Sequence, residues 1–417
     1  MVRLRTLVWL ALRNLGRELR RSALTAAAMA IGLALLILSR TLADGAHEDW
    51  IDAGVRLGAG HVTINAPGYR DSESLDDRLS AAQLQASLAA VADAPTPDPP
   101  LASVRVTTRG LASSPEGALP AWIVGVDATV ETAFSKLGEE VTDGRYLEDG
   151  DRLHAYIGAG MAERLGVRTG SRMVLTAQAA PGDIEGQLVR VVGIYRTGVG
   201  ALDQSLVHIP LGTARSWLGV EGATTVAVLL THSSFTDAVV AGVRGRVDPA
   251  GAEVVGWPVT QPDLYSALKL DDGGDWAFHM ILFAIVALAI LNAVFMSVLH
   301  RQREMGLLRA LGLSGRETGL VVLLEGILLT IASGIVGVLL GLAVVWFFLR
   351  DGLDLSGMWP EEFNLGGVAF DPVLYPVIEA RHVVQSAIMT VAIGLSASAY
   401  PAWQAGRLDP AESVKVE

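Results

Sequence analysis

The stretch that decides the fold is residues 319–349, GLVVLLEGILLTIASGIVGVLLGLAVVWFFL, in which Glu325 is the only ionisable residue. A helix rises 1.5 Å per residue, so about 20 apolar residues cross a bilayer. Three other stretches are long and apolar enough to do the same, and we predict spans at residues 22–42, 276–299, 318–349 and 383–403. A buried core helix is the alternative for each span, and it is strongest for the last.

The composition of the whole chain agrees with a membrane protein. The chain has 417 residues, of which 51% are hydrophobic and 18% charged, with a net charge of −12 and no cysteine. Soluble proteins usually carry about 25% charged residues. The absence of cysteine excludes a disulfide scaffold, a cysteine-ligated metal site and a thiol nucleophile. The acidic balance argues against a general nucleic-acid binder.

Arginine placement predicts the orientation of the spans. Six arginines and one acid, Glu18, precede the first span, and four arginines lie in residues 300–317, between the second and third spans. Because basic residues favour the cytoplasmic side, segments 1–21 and 300–317 are predicted to be cytoplasmic, and four spans return the tail 404–417 to that side. A cleaved signal peptide is the alternative for the N-terminus, but the apolar run is longer than the usual 7–15 residues.

The charge divides along the same lines. The three predicted cytoplasmic segments carry twelve basic and six acidic residues, whereas the rest of the chain carries 20 basic and 38 acidic residues. The acidity therefore belongs mostly to residues 43–275, which are too long and too polar for a loop. We interpret it as a solvated surface.

Residues 43–275 are predicted to form an α+β extracytoplasmic domain. Short runs typical of strands occur at residues 61–64, 121–124, 173–176, 188–192 and 226–230. Helical patterns lie between them at residues 80–92 and 159–165, and the proline-rich residues 93–100 indicate a stiff connection. An inserted subdomain at about 130–225 is one possible division. The predicted fold class is thus an α-helical membrane protein with four transmembrane helices and this domain between the first two, plus a shorter extracytoplasmic loop at 350–382.

No catalytic or metal-binding pattern is found. His47-Glu48 begins like the zinc-protease motif H-E-x-x-H, but residue 51 is Ile. The chain has three lysines, Lys136, Lys269 and Lys415, and none belongs to a phosphate-binding loop G-x-x-x-x-G-K-[ST]. We therefore expect no catalytic residue, no metal and no cofactor in this chain, and ATP–Mg would have to be bound by a partner.

The first cytoplasmic segment is predicted to be amphipathic. Apolar residues recur at helical spacing, at Leu4, Leu7, Val8, Leu12, Leu15 and Leu19, and the arginines fall on the opposite face. Such a helix lies in the headgroup plane or simply extends the first span, and the sequence leaves both interpretations open.

The second cytoplasmic segment, residues 301–317, reads RQREMGLLRALGLSGRE. Met305, Leu308 and Leu311 are expected to share a short helical face, with polar contacts from Arg301, Glu304 and Arg309. Gly312 is a natural end for this helix. Ser314 and Glu317 have capping-box spacing for the next helix. A short amphipathic helix here suits docking onto a cytoplasmic partner, and a charged turn is the alternative.

The third span has two further features, a set of spaced glycines and a single ionisable residue. Gly334, Gly337 and Gly341 recur on one region, and Gly337-x-x-x-Gly341 permits close helix approach, whether as a dimer face or as ordinary packing. Glu325 is expected to face protein or water and to bond a neighbouring helix near the inner interface, since an ionisable residue at that depth is rarely left facing lipid.

Several of these stretches resemble the FtsX-like/MacB-type ABC transporter permeases. The resemblance is carried by residues 304–314, EMGLLRALGLS, by Glu325-Gly326, by residues 400–414 and by Ala11-Leu-Arg-Asn-Leu15. Outside the membrane, residues 60–69 resemble the lipoprotein-releasing branch, and residues 157–167 with Gly170 resemble the periplasmic core of the family.

The resemblance implies a bacterial inner-membrane permease that works as a dimer with a second copy or a paralogue. Its partners would be a cytoplasmic ABC ATPase, the lipid bilayer and a lipoprotein or similar amphiphile, with no nucleic acid. The helix that couples to the ATPase would consist of Arg303, Glu304, Met305, Gly306, Leu307, Leu308, Arg309, Leu311 and Gly312.

Three other functions stay open at this point. One is MacB-like export of peptides or small hydrophobic molecules with a periplasmic adaptor. Another is an FtsX-like signalling scaffold that controls a periplasmic cell-wall hydrolase. The third is a membrane-anchored enzyme, which no catalytic constellation supports.

Overall fold

The computed structural model describes residues 4–17, 19–180, 182–356, 364–365, 368–369 and 373–407. Arg3, Glu18, residues 408–417 of the predicted tail, and residues 357–363, 366–367 and 370–372 of the predicted loop 350–382 lie outside the described residues. The chain divides into two compact units, a membrane unit of residues 1–47, 270–355 and 373–417, and a domain of residues 48–269 with 356–372.

Within the described residues, the α-helices are, in chain order, α1 Leu4–Arg17, α2 Leu19–Arg56, α3 Tyr69–Ser72, α4 Ala81–Ala92, α5 Ala128–Phe134, α6 Ala159–Leu165, α7 Gly200–Ser205, α8 Leu211–Leu218, α9 Thr236–Arg244, α10 Trp257–Thr260, α11 Pro262–His300, α12 Gln302–Ala310, α13 Gly315–Val344 and α14 Ala380–Arg407. A π-helical turn, Val345–Leu349, follows α13.

The strands of the same residues are β1 Val62–Asn65, β2 Leu101–Ser114, β3 Gly117–Val126, β4 Val141–Gly144, β5 His154–Gly158, β6 Arg172–Gln178, β7 Ile184–Tyr195, β8 Leu206–Pro210, β9 Thr225–Leu229, β10 Glu253–Gly256, β11 Leu353–Asp354, β12 Asn364–Leu365, β13 Val368–Ala369 and β14 Val373–Leu374.

Four of these helices are long and apolar enough to cross a membrane, namely α2 from Ser22, α11, α13 with its π-turn, and α14. Each contains one predicted span and is longer than it. Only 17–33% of each apolar window is buried within the chain, so most of the apolar surface of these helices faces outward, where lipid would cover it. The predicted fold class is confirmed.

The membrane unit is held together by close helix packing. A Cβ added at Gly326 would collide with Ser398, and one added at Gly394 would collide with Thr330, so α13 and α14 approach at small residues. Met29 of α2, Ile290 of α11 and other buried apolar residues form the core among the helices. The start of α13 has the predicted capping box, since the Ser314 hydroxyl accepts from the Glu317 N–H and the Glu317 carboxylate accepts from the Ser314 N–H.

The domain is built on a mixed sheet. Its strand order is β10-β1-β9-β2-β3-β8-β5-β7-β4, and β6 pairs with both β2 and β7. All five strand-like runs of the sequence fall in strands, namely β1, β3, β6, β7 and β9. The predicted helices are α4, capped by Ser80, and α6.

Several hydrophobic cores lie along this sheet. Of the two largest, one gathers around Val62, Val226 and Val254, and the other around Val106, Ile123 and Ile157. The second core includes Leu75 and residues of the β2–β3 hairpin. These residues come before position 130, which is about where the possible inserted subdomain was predicted to start. The strands of the second core continue the same sheet because β8 pairs with β3 in parallel register.

Candidate functional site

The predicted coupling segment folds as the short helix α12. The Met305 N–H donates to the Arg301 carbonyl at 3.0 Å and so closes the first turn. The helix ends where Gly312 adopts a φ of +107°, a conformation that a residue with a Cβ rarely takes. The Leu313 N–H then bonds the Leu308 carbonyl at 3.1 Å. The end of the helix therefore lies where the sequence predicts it.

The two faces of α12 differ sharply. Met305 and Gly306 are buried in the membrane unit. Exposed residues recur at helical spacing on the other side, at Arg303, Glu304, Leu307, Ala310 and Leu311. Leu307 is 58% and Leu311 74% exposed, and two such leucines beside charged residues suit a protein partner. We call this set the outer face of α12.

The predicted grouping of Met305, Leu308 and Leu311 is wrong. Met305 belongs to the core, Leu308 is half-buried, and Leu311 is exposed just after the helix. Spacings of three residues turn steadily around the helix axis, so these side chains do not form one surface. Arg309 is likewise half-buried.

Glu325 of α13 is the centre of a buried polar cluster beside α12. The Asn14 amide of α1 donates to Glu325 Oε1 at 2.5 Å, and Arg301 Nη1 donates to the same oxygen at 3.1 Å. Arg301 Nε also bonds Glu304 Oε2 at 3.0 Å, and Arg17 lies 3.6 Å from Glu304. We call these five residues the α12 junction. It connects α1, α12 and α13 through side chains.

The sequence predicted that Glu325 would bond a neighbouring helix, but it did not single out Asn14. The buried face of α1 is formed by Leu7, Ala11 and Asn14, and the helix packs on α13. Leu12, assigned to the apolar face in the sequence, is 53% exposed. Asparagine inside an otherwise apolar i, i+4, i+7 row is the signal that could have identified the partner of Glu325.

The glycines of α13 contact α2 of the same chain. A methyl group added at Gly337 would lie 2.8 Å from the Ala30 carbonyl oxygen, and one at Gly341 would lie 3.1 Å from Ile37 Cβ. Gly334 has more room, with Leu33 Cδ2 at 4.0 Å. Gly337 and Gly341 therefore serve packing between two spans within one chain.

A second polar cluster lies in the membrane unit on α2, α11 and α14. His382 Nδ1 is 2.6 Å from Asp44 Oδ2, and Arg40 Nε is 3.2 Å from Asp44. Beside it is a cavity of about 290 Å³ whose wall includes Arg40 and His382 as well as Trp276, Phe283 and Met389. A cavity with a charged rim and an apolar wall suits an amphiphile. No local sequence pattern points to this cluster, since His382 is 338 residues from Asp44 along the chain.

Comparisons with known proteins cover most of the chain. Residues 276–410 match the family of the FtsX-like permease C-terminal region, and residues 22–246 match the MacB-like periplasmic core domain. The second match alone spans more than half of the chain.

Curated relatives include the lipoprotein-releasing system transmembrane protein LolC of Xylella fastidiosa strain Temecula1, which is 24% identical over 93% of this chain and 92% of the relative. LolC of Neisseria meningitidis is 22% identical over 70% of this chain and 72% of its own length. The macrolide export ATP-binding/permease protein MacB of Syntrophobacter fumaroxidans is 28% identical over 34% of this chain and 17% of its own. Among solved structures, the extracellular domain of YknZ from Gram-positive bacteria covers 47% of this chain with a TM-score of 0.33 and 16% identity.

Proposed function

Because the chain belongs to the FtsX-like, MacB-type ABC transporter permeases, we propose that it is the non-catalytic membrane subunit of a complex that releases lipoproteins from the inner membrane. A separate ATPase subunit would bind ATP–Mg and hydrolyse it. The likeness to LolC along 93% of the chain supports lipoprotein as the cargo. The observation that carries the coupling role is the outer face of α12, which combines exposed leucines with charged residues. Behind this face, Arg301 at the start of the helix bonds the buried Glu325.

In this proposal the ATPase docks on Leu307 and Leu311, with Arg303 and Glu304 at the rim. Displacement of α12 would act on the α12 junction, because Arg301 at the start of α12 bonds Glu325 of α13. Through Asn14 the same carboxylate would act on α1. Charged hydrogen bonds of this kind are directional and costly to break when buried, so the three helices would move together.

Two surfaces of the chain support the proposal that its cargo is an amphiphile. The cavity beside Arg40 and His382 combines charge with an apolar wall. The second surface is in the domain, where Leu111 of β2 and Ile184 and Leu188 of β7 are exposed. Strand β6 lies between β2 and β7 and pairs with both. Exposed apolar patches mark surfaces that bind apolar partners. Dimerisation with a second copy or a paralogue belongs to the same proposal.

The experiment introduces charge on the outer face of α12. We expect the double variant Leu307→Asp, Leu311→Asp to weaken co-purification of the ATPase at least about tenfold. It should also abolish the ATP hydrolysis that the permease stimulates. The reason is that a carboxylate in place of a leucine would be buried in the interface without a partner. Leu153→Asp is the matched control, because Leu153 is an exposed leucine of the domain at 51% exposure.

Unchanged assembly and hydrolysis in the double variant would show that the ATPase does not dock on α12. The cargo is tested separately by depletion of the chain in cells. Accumulation of lipoproteins in the inner membrane supports lipoprotein release. Normal lipoprotein sorting with a defect in efflux or in cell-wall hydrolysis would instead favour the export or the signalling function.

A further inference from the structure

The domain contains a cavity of about 420 Å³ on one face of its sheet. Its wall includes Asn65 of β1, Thr107 of β2, Trp122 of β3, Leu206 of β8 and Val259 of α10. Small-molecule sites in proteins usually have volumes of about 300–1,000 Å³. The cavity is therefore of a size that holds an ordered ligand.

The charged side chains of the wall are balanced by partners. The buried Arg105 donates to Glu131 at 2.6 Å, and Arg109 is paired with Glu73 at the rim. Arg70 forms a third pair with Glu253 at 3.1 Å. With each of these arginines neutralised, the wall favours a ligand without net charge, because a charged ligand would be desolvated without compensation.

Asn65 provides an acceptor without a partner. Its Nδ2 donates to the Thr224 carbonyl at 2.9 Å and to Thr225 Oγ1 at 2.8 Å. Since a carbonyl only accepts, this contact fixes the orientation of the amide. Asn65 is 2% exposed, and its Oδ1 has no hydrogen-bond partner among the described residues. A buried acceptor of this kind is costly unless a donor reaches it. The oxygen has almost no accessible surface in this structure, so a ligand hydroxyl or amide would supply the donor by displacing part of the wall that covers it.

The strands of the wall cannot take up a peptide by adding a strand. β1, β2, β3, β8 and β9 each have neighbours on both sides in the sheet, so their backbone groups are already paired. Recognition must come from side chains. Trp122 is 36% exposed, and the wall that it shares also includes threonines. An aromatic ring with neutral polar groups suits a ligand that has both hydroxyl donors and an apolar face.

We propose that this cavity binds a neutral saccharide, which stacks on Trp122 and donates a hydrogen bond to Asn65. The site lies wholly within the domain and does not depend on the transport function. Its ligand would be an uncharged sugar unit of the cell envelope or its surroundings, recognised by ring stacking and hydroxyl donation.

The test uses the full chain in lipid nanodiscs, with chitotetraose as the probe and isothermal titration calorimetry as the measurement. We expect saturable binding that Trp122→Ala weakens about tenfold, in line with the loss of one aromatic contact. Trp122→Phe keeps a ring and should retain most of the affinity. Leu153→Ala, at an exposed leucine that does not line the cavity, should leave binding unchanged.

A second variant keeps the proposal testable even if the Trp122→Ala protein does not fold. Val259 is 48% exposed on the wall, so Val259→Ala should fold and should also weaken binding. The proposal is overturned if chitotetraose and maltotetraose both fail to bind, or if the Trp122 and Val259 variants bind as tightly as the parent chain. Equal affinity for a blocked tetra-alanine peptide would also overturn it.

Discussion

Single buried charges in this chain are tied to specific partners, and Glu325 shows why. Its oxygen accepts from both Asn14 and Arg301. Removal of the carboxylate would leave the Asn14 amide and Arg301 Nη1 without their acceptor, while Arg301 Nε would keep Glu304, and unpaired buried donors cost more than the pair itself contributes. Glu304 differs, since its side chain is half-exposed and its ion pairs are screened by water. Glu325 therefore links α1, α12 and α13, and the more exposed Glu304 lies where a partner can reach it.

His208 predicts an acid-dependent loss of stability in the domain. Burial lowers its pKa to about 4, whereas the pKa is about 6.5 in an unfolded chain. The unfolded state therefore binds the proton first, so stability is complete above about pH 6.5 and falls as the pH drops toward 4. We expect this group to remove about 3 kcal/mol of stability by pH 4. Burial lowers the pKa of His61 to about 4 as well, so His61 acts in the same direction.

The measurement is hydrogen exchange of the β3 and β8 amides between pH 7 and pH 4, corrected for intrinsic exchange rates. His208→Asn keeps a polar group near the Tyr146 hydroxyl, which lies 2.9 Å from His208 Nδ1, but it does not titrate. The variant should show a shallower loss of protection with falling pH. Parallel pH profiles for the parent and the variant would contradict the assignment.

At the scale of helices, the glycines of α13 give a prediction with an internal control. Gly337→Ala places a methyl group against the Ala30 carbonyl and Leu33, so α2 and α13 must separate. Overpacking of this kind costs about 1–3 kcal/mol. Gly334→Ala meets only Leu33 Cδ2 at 4.0 Å and should be neutral. Thermal unfolding of the solubilised chain measures both, and equal unfolding temperatures would show that α2 and α13 are not packed at Gly337.

What the sequence could predict about these elements follows from how local each signal is. Gly312 and the Ser314–Glu317 capping box act within a few residues, so the end of α12 and the start of α13 were predicted correctly. Asn14 and Glu325 are 311 residues apart, and no local pattern joins them. Likewise, the sequence marked Leu307, Leu308 and Leu311 alike as members of the coupling segment, and only the surrounding helices decide that Leu307 and Leu311 are exposed while Leu308 is half-buried.

For the whole molecule, charge and hydropathy predicted the four helices and the domain because both properties are averages over long segments. Several cores on one sheet could not be predicted in this way, since the pairing of β2 with β9 and β6 brings together residues that are far apart in sequence. The side of the membrane on which each segment lies was inferred from the positions of the arginines, because basic segments tend to stay on the cytoplasmic side during insertion. This orientation remains a prediction.

The three lysines test that orientation directly. Lys136 and Lys269 belong to the domain, and the Lys136 side chain is 51% exposed, whereas Lys415 is in the tail predicted to be cytoplasmic. A membrane-impermeant amine reagent applied to spheroplasts should label Lys136 and Lys269 but not Lys415, because the bilayer excludes the reagent. After the membrane is disrupted, mass spectrometry should find Lys415 labelled too. Labelling of Lys415 in intact spheroplasts with Lys136 protected would reverse the orientation, place α12 outside and remove the basis for coupling to a cytoplasmic ATPase.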